Sequence, residues 1–506
     1  MHALCVDVGT SLIKSVAYDA TGRELAVERR PTRVSRPAPG RAEQDMAEVW
    51  EAVAETIRSV RDGLGQDPAL LALTAQGDGC WLVDGAGDPV GPAILWSDGR
   101  AASIVERWAA DGRIEQAFRA NGSLTFPGLS NAILTWLREH EPDRLARAEQ
   151  ALHSGGWVFH QLTGELVVDE SDASAPLLDL RSRTYSDALL ELFDLQWARR
   201  LLPEPVPAGR HVGSLTPAAA RGLGLPAGLP VVLAPYDIAA TAIGAGATSP
   251  GQACCILGTT LCTELVTDVL DTDATPSGFT IAMGPGRHLR AYPSLSGTEV
   301  LTWAARMLAV AGPPEVTQLA ACGGDLSRDA PFLLPYLSPA GERAPFLDPD
   351  ARGMLIGLTY EHRPEQLALS VLEGLSHVVR ECLEGGSAGA QELRLCGGGA
   401  NSAFWSQLIA DVTGVPTLRS ADSETGAKGA LICARVALGD YADLATAAAA
   451  LVEPRDAFAP RPAHADLHDE RFRQFIELRR LAEPAWRQLH AGREQRSRSP
   501  AGGVRG

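Results

Sequence analysis

The chain has 506 residues, 45% hydrophobic and 21% charged, with a formal net charge of −17. That length exceeds what one hydrophobic core serves, so two or three domains are expected in an ordinary globular protein. The acidic excess excludes a duplex-binding protein, which needs a basic face for phosphates, and no stretch reaches the ~18 uninterrupted apolar residues of a membrane span.

The opening MHALCVDVGT has no basic-then-apolar secretory pattern. The nine cysteines form no CxxC pair and mostly sit in apolar runs such as ACCILG. They read as small buried hydrophobes of a protein in the reducing cytoplasm, with neither nucleic acid nor membrane as partner.

In chain order, ALCVDV is a strand that stops at Gly9-Thr10-Ser11. KSVAYDA follows and turns at Thr21-Gly22 into RELAVERR, a hairpin. Asp45 precedes a helix with Met46, Val49, Trp50, Val53 and Ile57 on one face. ALLALTAQ is a strand leading to Gly77-Asp78-Gly79, and GCWLVDGAGDPVGPAILW gives two more strands around a Gly-Asp-Pro turn. Further on, strand Val231–Ala234 meets Pro235 and an Ala-rich helix. Asp237 is the single charged residue of that run, VVLAPYDIAATAIGAGA, and helix capping is its plainest reading.

The strand QACCILGTT ends at Gly258-Thr259-Thr260 and runs on into LCTELV. A helix over Pro364–Glu384, the strand ELRLCGGG, a helix through FWSQLIADV and the helix GAKGALICARVALG complete the second half. Two α/β halves thus each open with a strand ending in Gly-Thr, the pattern of a duplicated nucleotide-handling domain. Residues 491–506 are polar, basic and Gly/Ser-rich, and are predicted to be a disordered tail.

Three segments carry candidate chemistry. Asp7 at a strand end, followed by Gly9, Thr10 and Ser11, offers backbone amides for anionic oxygens and a carboxylate for Mg²⁺; a hairpin lead-in with a solvated acid uses the same residues. Gly258-Thr259-Thr260 repeats those ingredients. The three glycines of LCGGGANS let backbone approach a flat ligand, with Asn401 and Ser402 to bond it or to cap the next helix. ETGAKGA allows a similar approach or tight helix packing. There is no Walker A sequence. GGSAG (385–389) fits the esterase elbow pattern but lies after a helix and before a strand, the reverse of what that motif needs. His464 and His468 are spaced i, i+4 in a polar stretch with no third ligand, so a metal site there is set aside.

From about residue 3 to 440, the chain resembles the FGGY family of carbohydrate kinases. The resemblance rests on DVGTSLIK, TAQGDGCWLVDGAGDPVGPAILWSDGR, PYDIAATAIGAG, LGTT, YLSPAGERAPFLDPDARG, GGGANSAFWSQLIAD and ETGAKGA, in that order. It implies two ribonuclease H-like domains of the actin/hexokinase type flanking a deep cleft. Residues 1–240 would bind sugar and 241–490 ATP, with homodimers common in the family. Thr10, Ser11, Lys14, Gly258, Thr259 and Thr260 would hold phosphate oxygens, and Gly398, Gly399 and Asn401 would line the adenosine site. Gln76, Gly77, Asp78, Trp96 and Asp98 would face the sugar. Asp7 and Asp237 would stand near Mg²⁺, with Asp237 as the catalytic aspartate that takes the proton of the attacking hydroxyl.

The expected reaction is transfer of the γ-phosphate of ATP to a terminal hydroxyl of a small ketose or polyol. PAILWSDGR and GERAP are most similar to the xylulokinase branch. Gly77-Asp78 departs from it, standing where D-xylulose kinases carry Met-His, and is closer to kinases of L-xylulose and of polyols such as erythritol. SPAGERAP also carries extra residues before GER. Two other readings compete: a non-catalytic actin-like ATP switch, and a degenerate kinase that senses sugar.

Overall fold

The computed structural model describes residues 2–323, 329–386 and 389–498, with side chains as far as residue 490. Two mixed sheets organise the chain. The first has six strands in the order His211–Ser214, Pro230–Leu233, Leu70–Ala75, Ala3–Val8, Leu12–Tyr18 and Glu24–Pro31. Ala3–Val8 and Leu70–Ala75 pair in parallel and are buried along their whole length, as continuous apolar strands covered on both faces should be. Leu12–Tyr18 folds back on Ala3–Val8 as predicted, and Glu24–Pro31 closes the edge with charged, exposed side chains and a terminal proline.

The predicted amphipathic helix is Met46–Leu64. Asp45 accepts the amides of Ala47 and Glu48 at 2.8 and 3.1 Å, and Gly65 ends the helix in the left-handed region at φ 65°. Val49, Val53, Ile57 and Val60 pack against Leu4, Val6, Leu71 and Leu73 of the sheet. The two strands expected within residues 79–96 exist and meet through single antiparallel bridges, Cys80 to Ile94 and Val83 to Pro89, but each forms its ladder with another strand. Trp81–Val83 joins Gln150–Leu152, and Ala93–Ile94 joins Glu43–Gln44. Those partners lie too far along the chain for local turn chemistry to reveal.

The second sheet has seven strands in the order Phe279–Ala282, His288–Ser294, Leu261–Thr267, Gln252–Leu257, Glu392–Cys396, Thr417–Ser420 and Pro454–Phe458. Its logic repeats the first. A strand ending in Gly-Thr lies inside the sheet, the following strand sits on one side of it, and a strand that follows a long helix (Pro364–Glu384) sits on the other. The chain clusters into two compact units, one of residues 1–254, 264–291 and 420–455, the other of residues 255–263, 292–419 and 456–506. Among the described residues no helix is long and apolar enough to cross a membrane. All nine cysteines are free thiols, and only Cys322 is exposed. Helix Ala465–Arg498 runs into the segment read as a disordered tail; residues 499–506 lie outside the described residues, as do 387 and 388 of the rejected GGSAG pattern.

In the first unit, helices Asp237–Ala245 and Thr425–Ala437 meet backbone to backbone. A Cβ on Gly429 would lie 1.8 Å from the Ala240 carbonyl oxygen, and one on Gly244 would lie 1.8 Å from that of Thr425. Of the glycines of ETGAKGA, Gly429 therefore serves helix packing, whereas a Cβ on Gly426 would meet the Asp7 carboxyl at 3.0 Å. Gly429→Ala should destabilise the protein by about 3 kcal/mol or more, because backbone cannot give way as a side-chain tip can. Urea unfolding measures this, and an unchanged midpoint would contradict the close packing.

Candidate active site

Asp237 opens a helix rather than capping one. Tyr236 holds the N-cap position, and Asp237 is the first helical residue, its carboxyl beside the amide of Ile238. Two side chains fix the approach to it. Thr74 Oγ1 donates to the Pro235 carbonyl at 2.7 Å, and the Tyr236 amide donates to Ser171 Oγ at 3.0 Å. Ser171 in turn donates to Asp169, which also accepts the Gly209 amide at 2.8 Å. The turn before Asp237 is thereby bonded on both sides.

Around it the first unit gathers carboxylates. Asp7 is 8% exposed and pairs across the hairpin with Lys14, whose Nζ lies 3.4 Å from Asp7 Oδ2 and 3.0 Å from Glu424 Oε2. Arg29 grips the other oxygen of Glu424 at 3.0 and 2.5 Å. Burial raises the Asp7 pKa, with Lys14 opposing and Glu424 adding. Burial alone would lower that of Lys14, but Asp7 and Glu424 outweigh it and raise it. The Asp237 carboxyl is pushed up to about 8, first by desolvation and then by the charges of Asp7 and Asp78. Asp172 is raised well above the ordinary carboxylate range by burial and by Asp169, Asp78 and Asp237. Asp169 rises to about 6, chiefly through burial.

Of the residues predicted to face a sugar, Gln76 and Trp96 form a bonded set with Thr10. Trp96 Nε1 donates to Thr10 Oγ1 at 2.9 Å, and Thr10 Oγ1 donates to Gln76 Oε1 at 2.6 Å. Gln76 Nε2 donates to Gln44 at 2.8 Å, and Gln44 returns a bond to the Thr10 carbonyl at 2.9 Å. The Thr10 hydroxyl, expected on phosphate, is thus already a link between Trp96 and Gln76. Gly77 packs on the Tyr236 ring, where a Cβ would come within 2.2 Å; Asp78 follows with φ 56° and Gly79 with φ 76°. Such a turn points backbone and carboxyl in directions ordinary strand geometry forbids. Asp98 is occupied within the protein. Its oxygens accept the amides of Ala42 and Arg100 at 2.6 and 2.8 Å and a two-pronged grip from the Arg100 guanidinium at 2.8 and 2.9 Å. Ser11 is exposed at the hairpin turn.

The second unit holds a cavity of about 720 Å³. Gly258, Thr259, Gly398, Gly399 and Asn401 all line it, so five of the six nucleotide residues expected in this half converge there, and Thr260 is not in its lining. The Gly258 and Thr259 carbonyls accept the amides of Thr298 and Glu299 at 2.9 and 3.3 Å, seating the turn on the next helix. Gly397, at φ 82°, lies against Leu257, while a Cβ on Gly398 would meet nothing within 4 Å. Leu301, Pro313, Pro314 and Phe404 supply apolar wall and Thr317 and Gln318 polar groups, a lining suited to a flat heteroaromatic ring. Ser402 caps helix Ala403–Thr413 by accepting the Trp405 amide at 3.2 Å.

Sequence reasoning missed Asp169, Ser171, Asp172 and Gln44 in the first unit, and Thr298, Thr317, Gln318 and Phe404 in the second. VDESDAS offered a faint signal, since a helix start carrying three acids is unusual for a buried segment. It also missed the third partner of His464 and His468: ligand atoms of both lie within 4.8 Å of Asp411. Asp411 gives both its oxygens to Arg461, at 2.7 to 2.9 Å, and needs no ion.

Models of the FGGY family of carbohydrate kinases match most of the chain, the N-terminal domain over residues 2–244 and the C-terminal domain over 253–438. The chain belongs to that family. It is a phosphotransferase acting on a sugar or polyol, with ATP the donor that the family implies. Among curated relatives, it is 34% identical over 514 residues to erythritol kinase of Brucella abortus (strain 2308), covering 96% of this chain and 98% of the relative. It is 33% identical over 416 residues to xylulose kinase of Escherichia coli (strain K12), covering 81% and 84%. Among solved structures, xylulose kinase from Rhodospirillum rubrum superposes with a TM-score of 0.88 at 28% identity, covering 96% and 100%. The fold is therefore the α/β, actin/hexokinase-like one that the resemblance implied.

The carboxylates of this FGGY kinase suit a divalent ion chemically. Asp7 and Asp237 are hard oxygen donors whose charges oppose each other, a conflict that a cation relieves. Without one, ionised Asp237 opposes folding. Its proton is retained in the folded state up to about pH 8 but lost in the unfolded chain near pH 4, so stability falls as pH rises through that window. Asp237→Asn should accordingly stabilise the free protein, by about 1–3 kcal/mol at pH 8 and by less at pH 5. Thermal melts across that range decide it, and a destabilised variant at pH 8 would contradict the charge conflict.

Proposed function

We propose that this kinase phosphorylates the terminal hydroxyl of a small, uncharged polyol or ketose of the tetritol, pentitol or pentulose size, with Asp237 as general base. The observation that carries this reading is that Asp237 feels the charge of Asp78, two residues after Gln76, while Gln76 and Trp96 meet on the Thr10 hydroxyl, so that hydroxyl-binding groups gather near the base. Lys14, a cation near Asp237, is held by Asp7 and Glu424. An acceptor bearing a carboxylate would meet repulsion there; a neutral polyol would find acceptors for its hydroxyls and the Trp96 ring for its carbon face. The extensive match to an erythritol kinase and the Gly77-Asp78 pair favour a polyol or L-ketose over D-xylulose.

In this reading the acceptor hydroxyl gives its proton to an Asp237 carboxylate oxygen as its oxygen bonds the γ-phosphorus and the bond to the β-phosphate oxygen breaks, releasing ADP. Gln76, Gly77, Asp78 and Trp96 orient the acceptor, and Asp98 holds the Trp96 loop through Arg100 and Ala42. Ser11, Lys14, Gly258, Thr259 and Thr260 bind phosphate oxygens, with Thr10 contributing its backbone amide because its hydroxyl is engaged by Trp96 and Gln76; Gly398, Gly399 and Asn401 face the adenosine. Asp7 and Asp237 would hold Mg²⁺, which neutralises phosphate charge when bound. The acceptor domain would span residues 1–240 and the nucleotide domain 241–490. Nine free thiols suit a reducing cytoplasm. No observation favours a non-catalytic switch or sensor.

A coupled ADP-release assay over erythritol, xylitol, both xyluloses, glycerol and gluconate tests the reading. At least one neutral acceptor should stimulate turnover and gluconate should not. Asp237→Asn should lose 10²-fold or more in kcat while still binding ATP, the scale of a lost general base. Near-normal turnover in that variant, or a preference for gluconate, would refute the assignment.

A further inference from the structure

Asp172 has no part in the roles just assigned, yet its surroundings are unusual for an acid. It lies in the first turn of helix Glu170–Leu177 and is 4% exposed, with its Oδ1 atom sealed from solvent and bonded to nothing. The native rule is that a buried carboxyl oxygen finds a donor, because leaving it bare is costly. Capping does not explain it. Asp169 already caps this helix, accepting the Ser171 amide at 2.8 Å.

The contacts of its chain neighbours place Asp172 near the Asp237 turn. Ser171, its neighbour, accepts the amide of Tyr236, the residue before Asp237. Gly77, the residue before Asp78, packs on the Tyr236 ring. Asp78, Asp172 and Asp237 are therefore each adjacent in the chain either to Tyr236 itself or to a residue touching it. A structural acid would be expected to have donors, as Asp169 and Asp98 do. Asp172 lacks one at Oδ1 in a place where a hydroxylated molecule would bring one.

We infer that Asp172 is an acceptor-binding residue whose carboxyl pairs with a hydroxyl of the substrate, next to the hydroxyl that is phosphorylated. With Asp78 it reads neighbouring hydroxyls and so selects for a vicinal polyol. This rests on the kinase reading above and adds to it the residue that recognises the second hydroxyl.

The test is steady-state kinetics of Asp172→Ala and Asp172→Asn, using the best neutral acceptor from the panel, with KM measured for both substrates. Asp172→Ala should raise the acceptor KM about tenfold or more, the scale of a hydrogen bond to a charged group, and shift the ATP KM less than about twofold. Asp172→Asn, whose amide can still pair with a hydroxyl, should recover most of the acceptor affinity. With an acceptor lacking the neighbouring hydroxyl, the penalty of the alanine variant should vanish. Unchanged acceptor KM in both variants would overturn the inference, as would a parallel loss for both substrates with a lowered melting point. Absence of any neutral acceptor for the wild type would instead sink the kinase reading, and this role with it.

Discussion

Several carboxylates are drawn into one partly dehydrated place, and the first unit is shaped by that conflict. Beyond burial itself, the charges of Asp7 and Asp78 raise the pKa of Asp237 and those of Asp169, Asp78 and Asp237 raise that of Asp172, while Lys14 is held between Asp7 and Glu424. Such a cluster opposes folding, so it persists only because the scaffold over-determines it. The Asp7 strand is wholly buried mid-sheet, and the Asp237 turn is bonded by Thr74 on one side and Ser171 on the other. Helix Thr425–Ala437 then closes on both, with Gly426 near the Asp7 carboxyl and Gly429 on the Asp237 helix. A protein that stores this much like charge is prepared for ligands that relieve it: hydroxyl protons and a hard cation.

The second unit solves an easier problem. A 720 Å³ cavity with apolar walls and a glycine-rich rim requires small residues at strand ends and three helices to line it. Gly398 leaves open space where any side chain would intrude. No buried charge is needed, and the site is built from backbone and surface more than from ionisable groups.

That contrast explains what could be read from the chain. The strands, the Asp45-capped helix and the two Gly-Thr turns were legible because local pattern and burial agree. The cavity residues were legible for the same reason, since LGTT and LCGGG are contiguous strings whose glycines have one obvious use. The acidic site was legible only in part. Asp237 stood out as a lone acid among small residues, but Asp172 sits in a string of acids that looks solvated, and its neighbour Ser171 is bonded to Tyr236 some 60 positions away. Asp98 resembled a sugar ligand because nothing local shows that Arg100 and Ala42 take its oxygens. Glu424, the partner of Lys14 and Arg29, lies 395 residues from Arg29 and still further from Lys14, beyond any local rule.

The account requires Asp237 to act as a base and never as a nucleophile toward phosphorus. The stereochemical course at the transferred phosphorus separates the two most directly. With ATP made chiral at the γ-phosphorus by oxygen isotopes, direct attack by the acceptor hydroxyl gives inversion in the sugar phosphate, the outcome this account requires. Retention would reveal two displacements through an acyl phosphate on a carboxylate, and would contradict it.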